Sequence, residues 1–183
     1  MLRRLKPLIG DAVAATDGEA GRLEQVYFDD EHWRLRYLVV NTGGGLTGRK
    51  VLVPPEAVDR GRWSDDAVGV RLTREEVADS TSADEDMPVS RRFEEASAPE
   101  LSEEEREASR ARLRASGEVL GYSVFAPDGK LGHLDDLLFD DGEWTIAGLI
   151  VEGGAPIPVS AVDGIDWRTR EIRVRLRREE LRR

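Results

Sequence analysis

The chain has 183 residues, 37 acidic and 27 basic side chains, a formal net charge of −10 and no cysteine. The missing cysteine excludes disulfides, thiol chemistry and thiolate metal sites, and the acidic balance argues against nucleic acid as the main partner. No run reaches the roughly 18 apolar residues of a membrane helix, and Met1–Lys6 lacks the apolar stretch of a signal peptide, so the expectation is a cytoplasmic protein without membrane insertion.

In chain order, Asp17-Gly18 predicts a tight two-residue turn. Strands are predicted from Arg22 to Phe28 and from Trp33 to Asn41, rich in Val, Leu, Tyr and Phe. Asp29-Asp30-Glu31-His32 joins them as a hairpin turn. In the second strand Trp33, Leu35, Tyr37 and Val39 form one apolar face. The other face begins with Arg34 and Arg36 and ends with Leu38 and Val40, so it is solvated at one end and buried at the other. After the Gly-rich loop Gly43 to Lys50, Pro54-Pro55 ends a fourth strand and starts a helical turn through Val58. A last strand runs from Ala67 to Leu72, and Thr73-Arg74-Glu75-Glu76 carries a capping box that opens a short helix.

Residues 78–117 hold 11 acids and 6 bases. To about Pro99 this stretch reads as a disordered linker. Ser102-Glu103-Glu104-Glu105, with Arg106, Arg110, Arg112 and Arg114 behind, predicts a short helix over about 102–115, its charges matched to the helix dipole. The pattern then starts again. Asp128-Gly129 repeats Asp17-Gly18, and Phe139-Asp140-Asp141-Gly142-Glu143-Trp144 repeats Phe28 to Trp33. Pro158, Ala161, Val162, Asp163 and Trp167 repeat Pro54, Ala57, Val58, Asp59 and Trp63; Arg178-Glu179-Glu180 repeats Arg74-Glu75-Glu76. An internal duplication decides the organisation: copy one is 1–77, the linker 78–117, copy two 118–183. Five or six short strands per copy with tight turns predict a small barrel, and a mainly all-β fold.

The order Leu8-Ile9-Gly10, Asp17-Gly18, Gly21, the hairpin Val26 to Val40 and Gly48-Arg49-Lys50-Val51-Leu52-Val53-Pro54 resembles the PRC-barrel domain. That is the cytoplasmic barrel of the photosynthetic reaction centre H subunit and the C-terminal domain of a ribosome maturation factor. Copy two resembles it from Leu120 to Leu176. The resemblance implies two small PRC-type barrels in tandem and a structural or protein-interaction role. It implies no enzyme activity and no cofactor.

The residues themselves offer few sites. Gly43-Gly44-Gly45-Leu46-Thr47-Gly48-Arg49-Lys50 is Gly-rich, but a phosphate-cradling loop needs Lys then Ser or Thr after its last Gly and a helix beyond. Here Arg49 and a strand follow. Adjacent acids with a histidine, at Asp29-Asp30-Glu31-His32, or Asp135-Asp136 with Asp140-Asp141, could hold a hard cation, yet Asp is common in turns for its local hydrogen bonds. No nucleophile–base constellation is present, so no catalytic, cofactor or metal residue is assigned. Trp33 and Trp144, and Trp63 and Trp167, correspond between copies and are assigned to packing. The candidate partner-binding face is Arg34, Arg36, Tyr37 and Arg49, since Arg and Tyr are enriched where proteins meet. Copy two has Thr145 and Ala147 in place of Arg34 and Arg36. The expected function is a non-enzymatic interaction or assembly module that binds a protein partner or itself, as a homodimer or by pairing of its own barrels. The alternative is a small-ligand or metal sensor using the Gly43–Lys50 loop or the Asp-rich turns.

Overall fold

The structure is a computed structural model in which residues 1–43, 48–85, 88, 113–154 and 156–182 are described. The strands are β1 (Leu2–Arg4), β2 (Ala12–Ala15), β3 (Gly18–Asp29), β4 (Arg34–Asn41), β5 (Lys50–Val53), β6 (Ala67–Gly69), β7 (Leu113–Ala115), β8 (Ser123–Ala126), β9 (Gly129–Asp140), β10 (Thr145–Val151), β11 (Pro156–Pro158), β12 (Val162–Asp166) and β13 (Glu171–Val174). Two short helices, α1 (Arg74–Ala78) and α2 (Ser116–Val119), and several single 3-10 turns complete the described residues. The fold is all-β, as expected. No helix of the described residues is long and apolar enough to cross a membrane.

The chain divides into two compact units. The first-copy unit comprises Lys6–Tyr27 and Leu35–Met87; the second-copy unit comprises Met1–Leu5, Phe28–Arg34 and Pro88–Arg183.

In the first-copy unit, β2 pairs antiparallel with β3 and parallel with β6, and β4 pairs with β3 and antiparallel with β5, giving a curled sheet. Ala15 lies opposite Gly18, so the loop residues are Thr16 and Asp17, one position before the expected Asp17-Gly18. Gly18 takes φ +139° as the first residue of β3, while the Asp17 carboxylate accepts from the Arg74 N–H (2.8 Å) that opens α1. Gly21 has φ +149°, and a Cβ there would lie 2.3 Å from the Asn41 carbonyl oxygen. Only glycine lets β3 run that close to the end of β4. Val13, Leu23, Val26, Tyr27, Val39, Val51, Val68 and Val77 are buried inside the curl, each contributing roughly 1.5–3 kcal/mol.

The capping box forms as the sequence predicts. Glu76 N–H donates to Thr73 Oγ1 (3.2 Å) and Thr73 N–H donates to Glu76 Oε2 (2.8 Å). In copy two Arg177 stands where Thr73 does and can accept nothing. Its N–H still reaches Glu180 (2.7 Å), but the segment makes only a 3-10 turn, Glu180–Arg182. Half a box gives a turn where the whole box gives a helix.

The linker boundaries need correction at both ends. Thr81–Ala83 runs along β5, with Leu52 N–H donating to Thr81 O (2.8 Å) and Ala83 N–H to Lys50 O (3.0 Å). Residues 81 to 83 therefore pair with the sheet, because β5 would otherwise expose an unpaired edge. The helix expected over about 102–115 lies outside the described residues up to 112. Its last three, Leu113–Ala115, are strand β7, followed by α2.

In the second-copy unit the strand order is β12-β13-β8-β9-β10, with β11 on β10. β9 is its spine. Its first half pairs with β8 and its second half with β10, with register shifts within both ladders. β1 pairs antiparallel with the end of β9, Leu2 opposite Asp140 and Arg4 opposite Leu138. β7 pairs with β3, whose end from Phe28 belongs to this unit. Leu134, Leu137, Phe139, Leu149, Ile157 and Ile172 fill the core.

Candidate interaction surfaces

Both hairpin tips lie in the second-copy unit and are built alike. The Asp29 carboxylate accepts from the N–H groups of Glu31 (2.8 Å) and His32 (3.0 Å). Asp140 accepts from Gly142 (2.6 Å) and Glu143 (3.1 Å). This is the Asx turn that Asp favours. Burial pushes the Asp29 carboxyl up, but the His32 and Glu31 donors outweigh it and hold the group below its ordinary value. The Gly142 and Glu143 donors lower Asp140. Each tip ends on a tryptophan in the left-handed region, Trp33 at φ +56° and Trp144 at φ +54°. The strain is held by ring stacking, Trp33 on Phe28 (6.0 Å) and Trp144 on Phe139 (6.2 Å). Trp33 is therefore turn, not strand, and β4 begins at Arg34.

The second aspartate of each tip is held by an arginine from a short strand. Arg114 Nε of β7 donates to Asp30 (2.9 Å), and its Nη2 donates to Ile165 O (3.0 Å). Arg3 Nε of β1 donates to Asp141 (2.6 Å). Burial pushes the Asp141 carboxyl up, but hydrogen bonds from the N-terminal ammonium and Arg3 hold it below its ordinary value. Arg4 donates to the fully buried Asp136 (2.8 Å) and to Asp135 (3.3 Å). The sequence reading left Arg3 unassigned and placed Arg114 in the helix expected over about 102–115, whereas it lies on strand β7. The signal was there: Leu2-Arg3 and Leu113-Arg114 precede Gly10 and Gly121 at equal spacing.

The acidic turns are thus occupied by the chain's own donors. Among the described residues no group of three His, Asp or Glu side chains could hold a metal ion. His32 Nδ1 lies 3.1 Å from Asp29, and His133 lies between Lys130 (3.0 Å) and Glu152 (3.3 Å). Residues 44–47 of the Gly-rich loop lie outside the described residues. Its stem is tied by Thr42, whose N–H (2.9 Å) and Oγ1 (3.0 Å) donate to Arg49 O, and by the Lys50–Glu24 ion pair. Beside the stem a cleft of about 460 Å³ is lined by Glu19, Gly21, Arg22, Asn41, Thr42 and Gly43.

The four candidate face residues do not gather. Arg34 and Arg36 are exposed on the solvent side of β4. Tyr37 is half-buried and shares strand parity with the buried Leu35 and Val39, on the opposite side. Arg49 is exposed, but Lys50 pairs with Asn41, so Arg49 lies beside Thr42, roughly 20 Å along β4 from Arg36 at about 3.3 Å per residue.

Among curated proteins none matches the chain. Residues 2–73 match the family model of the PRC-barrel domain.

Proposed function

We propose that the chain is a tandem of two PRC barrels that acts in the cytoplasm as a non-enzymatic protein-interaction or assembly module. The observation that carries the reading is the recurrence of the first copy's architecture. β7, β8–β9, β10, β11 and β13 repeat β1, β2–β3, β4, β5 and β6 in order. Both copies tie their Asp-Gly turn to a distant Arg N–H, Asp17 to Arg74 and Asp128 to Arg178 (3.3 Å). The acid clusters that could have served chemistry hold turns and strands instead. One difference between the copies is the solvent side of the hairpins, where Arg34 and Arg36 of copy one correspond to Thr145 and Ala147 of copy two. The test replaces Arg34→Thr and Arg36→Ala in the full chain, followed by affinity capture from lysate and light scattering. Loss of one captured protein, or of a homodimer, in the variant is expected. Identical capture and identical mass for both proteins would remove this face from the proposal.

A second reading is a small-ligand sensor at the Gly43–Lys50 stem, favoured by the cleft beside it. Thermal-shift measurements with nucleotides, phosphate and divalent cations distinguish the two. No shift with any of them removes the sensor.

A further inference from the structure

The two copies diverge most in charge along one equal stretch. Trp63–Arg74 of copy one carries the acids Asp65 and Asp66 and the bases Arg71 and Arg74. Its counterpart Trp167–Arg178 carries six arginines, no lysine, and one acid, Glu171. Arg168, Arg170, Arg173 and Arg177 stand where copy one has Ser64, Asp66, Gly69 and Thr73. A fold that forms with Ser, Asp, Gly and Thr does not need these four arginines. All six are exposed.

The backbone lines them up. Arg168 and Arg170 sit in the β12–β13 turn, which Asp166 organises by accepting from the Arg168 and Thr169 N–H groups (2.9 and 3.4 Å). Arg173 lies on the outer side of β13 between the buried Ile172 and Val174, and Arg175 follows on the same side just beyond the strand. The carboxylates facing this strip are Glu171, 3.4 Å from Arg173, and Asp163, 2.7 Å from Arg175. Asp128 accepts from the Arg178 N–H (3.3 Å).

The surface beside the strip also differs. In copy one Gly69 lies beneath Arg62, whose Nη2 donates to Ala15 O (2.7 Å) and Nη1 to Val70 O (3.2 Å). Gly69 is the neighbour of Ala14 across the β2–β6 ladder. In copy two Phe125 takes the place of Ala14 and pairs across to Arg173. A shallow groove of about 420 Å³ opens there, lined by Phe125, Ala126, Pro127, Val174, Arg173 and the two carboxylates Asp163 and Glu171.

We propose that the outer face of β13 and β8 is a docking surface for an acidic segment of a partner protein. Carboxylates of that segment bind along Arg168, Arg170, Arg173 and Arg177, and one apolar side chain enters the groove at Phe125 and Pro127. The proposal rests on the interaction-module reading and names the partner's chemistry. Arginine's fixed fork suits carboxylates and phosphates alike. Asp163 and Glu171, set among the arginines, break the continuous positive track that a nucleic-acid backbone requires. The groove adds a place for a side chain that a peptide has and a phosphate backbone lacks.

The test uses the full chain and fluorescence anisotropy. The probes are a labelled twelve-residue peptide of Glu and Asp with one central Phe, a dT12 oligonucleotide, and phosphatidylserine vesicles scored by cosedimentation. The variant Arg168→Ser, Arg170→Asp, Arg173→Gly, Arg177→Thr carries only residues that copy one already has at these positions. The peptide is expected to bind the parent chain and to lose roughly tenfold or more in the variant. Arg71→Ser, at an exposed arginine outside both surfaces, is expected to leave the peptide affinity unchanged. Tighter binding of dT12 or vesicles than of the peptide, or equal peptide affinity in the four-site variant, overturns the proposal. If Arg34→Thr with Arg36→Ala abolishes capture of a protein while the four-site variant does not, this surface falls and the interaction-module reading stands.

Discussion

Arg114 and Asp30 form the most enclosed ion pair among the described residues, with side chains 11% and 5% exposed. A charge at such depth is costly to leave without its partner. Asp30→Ala is therefore expected to lower stability by about 3 kcal/mol, while the paired replacement Arg114→Met with Asp30→Leu costs clearly less. Arg3–Asp141 is the corresponding pair, with Arg3 31% exposed, and Arg3→Ala is expected to cost only about 1 kcal/mol. Urea unfolding of the three variants measures the order; an Arg3→Ala loss equal to that of Asp30→Ala would contradict it. Trp33 and Trp144 show the same economy at the backbone. A left-handed non-glycine residue costs about 1–2 kcal/mol, and a stacked aromatic pair returns about 0.5–1.5 kcal/mol beyond its buried area.

At the scale of elements, the two copies protect their sheet edges differently. In copy one the outer edge of β5 is covered by Thr81–Ala83. In copy two the matching strand β11 has β10 on one side, and two of its three residues are proline. Proline has no N–H to offer a new strand, so it blunts an edge. Pro156→Leu, the residue copy one has at Leu52, is expected to raise concentration-dependent self-association in light scattering; unchanged mass across a concentration series would deny that role. The hairpins, the acidic turns and the capping box were legible because each is local: a turn residue, a period of two, a cap at fixed spacing. β1, β7 and the Thr81–Ala83 strand were not. Three residues carry no readable period, and their pairing is decided by a distant edge such as that of β9. The candidate face was legible as exposed arginines but not as a cluster, because only the β4–β5 register shows that Arg49 lies far from Arg36.

Over the whole molecule, the pH dependence of stability is set by opposed groups. Asp17 is lowered by the Arg74 N–H, and Asp29, Asp140 and Asp141 are lowered as well. A lowered carboxylate stabilises the fold above its unfolded value of about 3.9 and loses that contribution as pH falls through its folded value. Asp11 acts in the opposite sense, raised first by burial and then by Asp66. Urea midpoints are thus expected to fall steeply below about pH 4. Asp11→Asn is expected to equal or exceed the parent protein at pH 7 and to converge with it as pH drops. A variant less stable at pH 7 would show that the ionised Asp11 is favourable.

The composition of the second-copy unit has a consequence for synthesis. Its strand β1 is made first, yet its partner β9 ends at Asp140. A growing chain therefore carries Leu2–Arg4 and the tip 28–34 without their final partners until most of the protein has emerged. Such sequence-distant pairing slows folding and leaves strand edges open meanwhile. Arg3 and Arg4, with Arg34 at the waiting tip, keep those early segments charged while they wait.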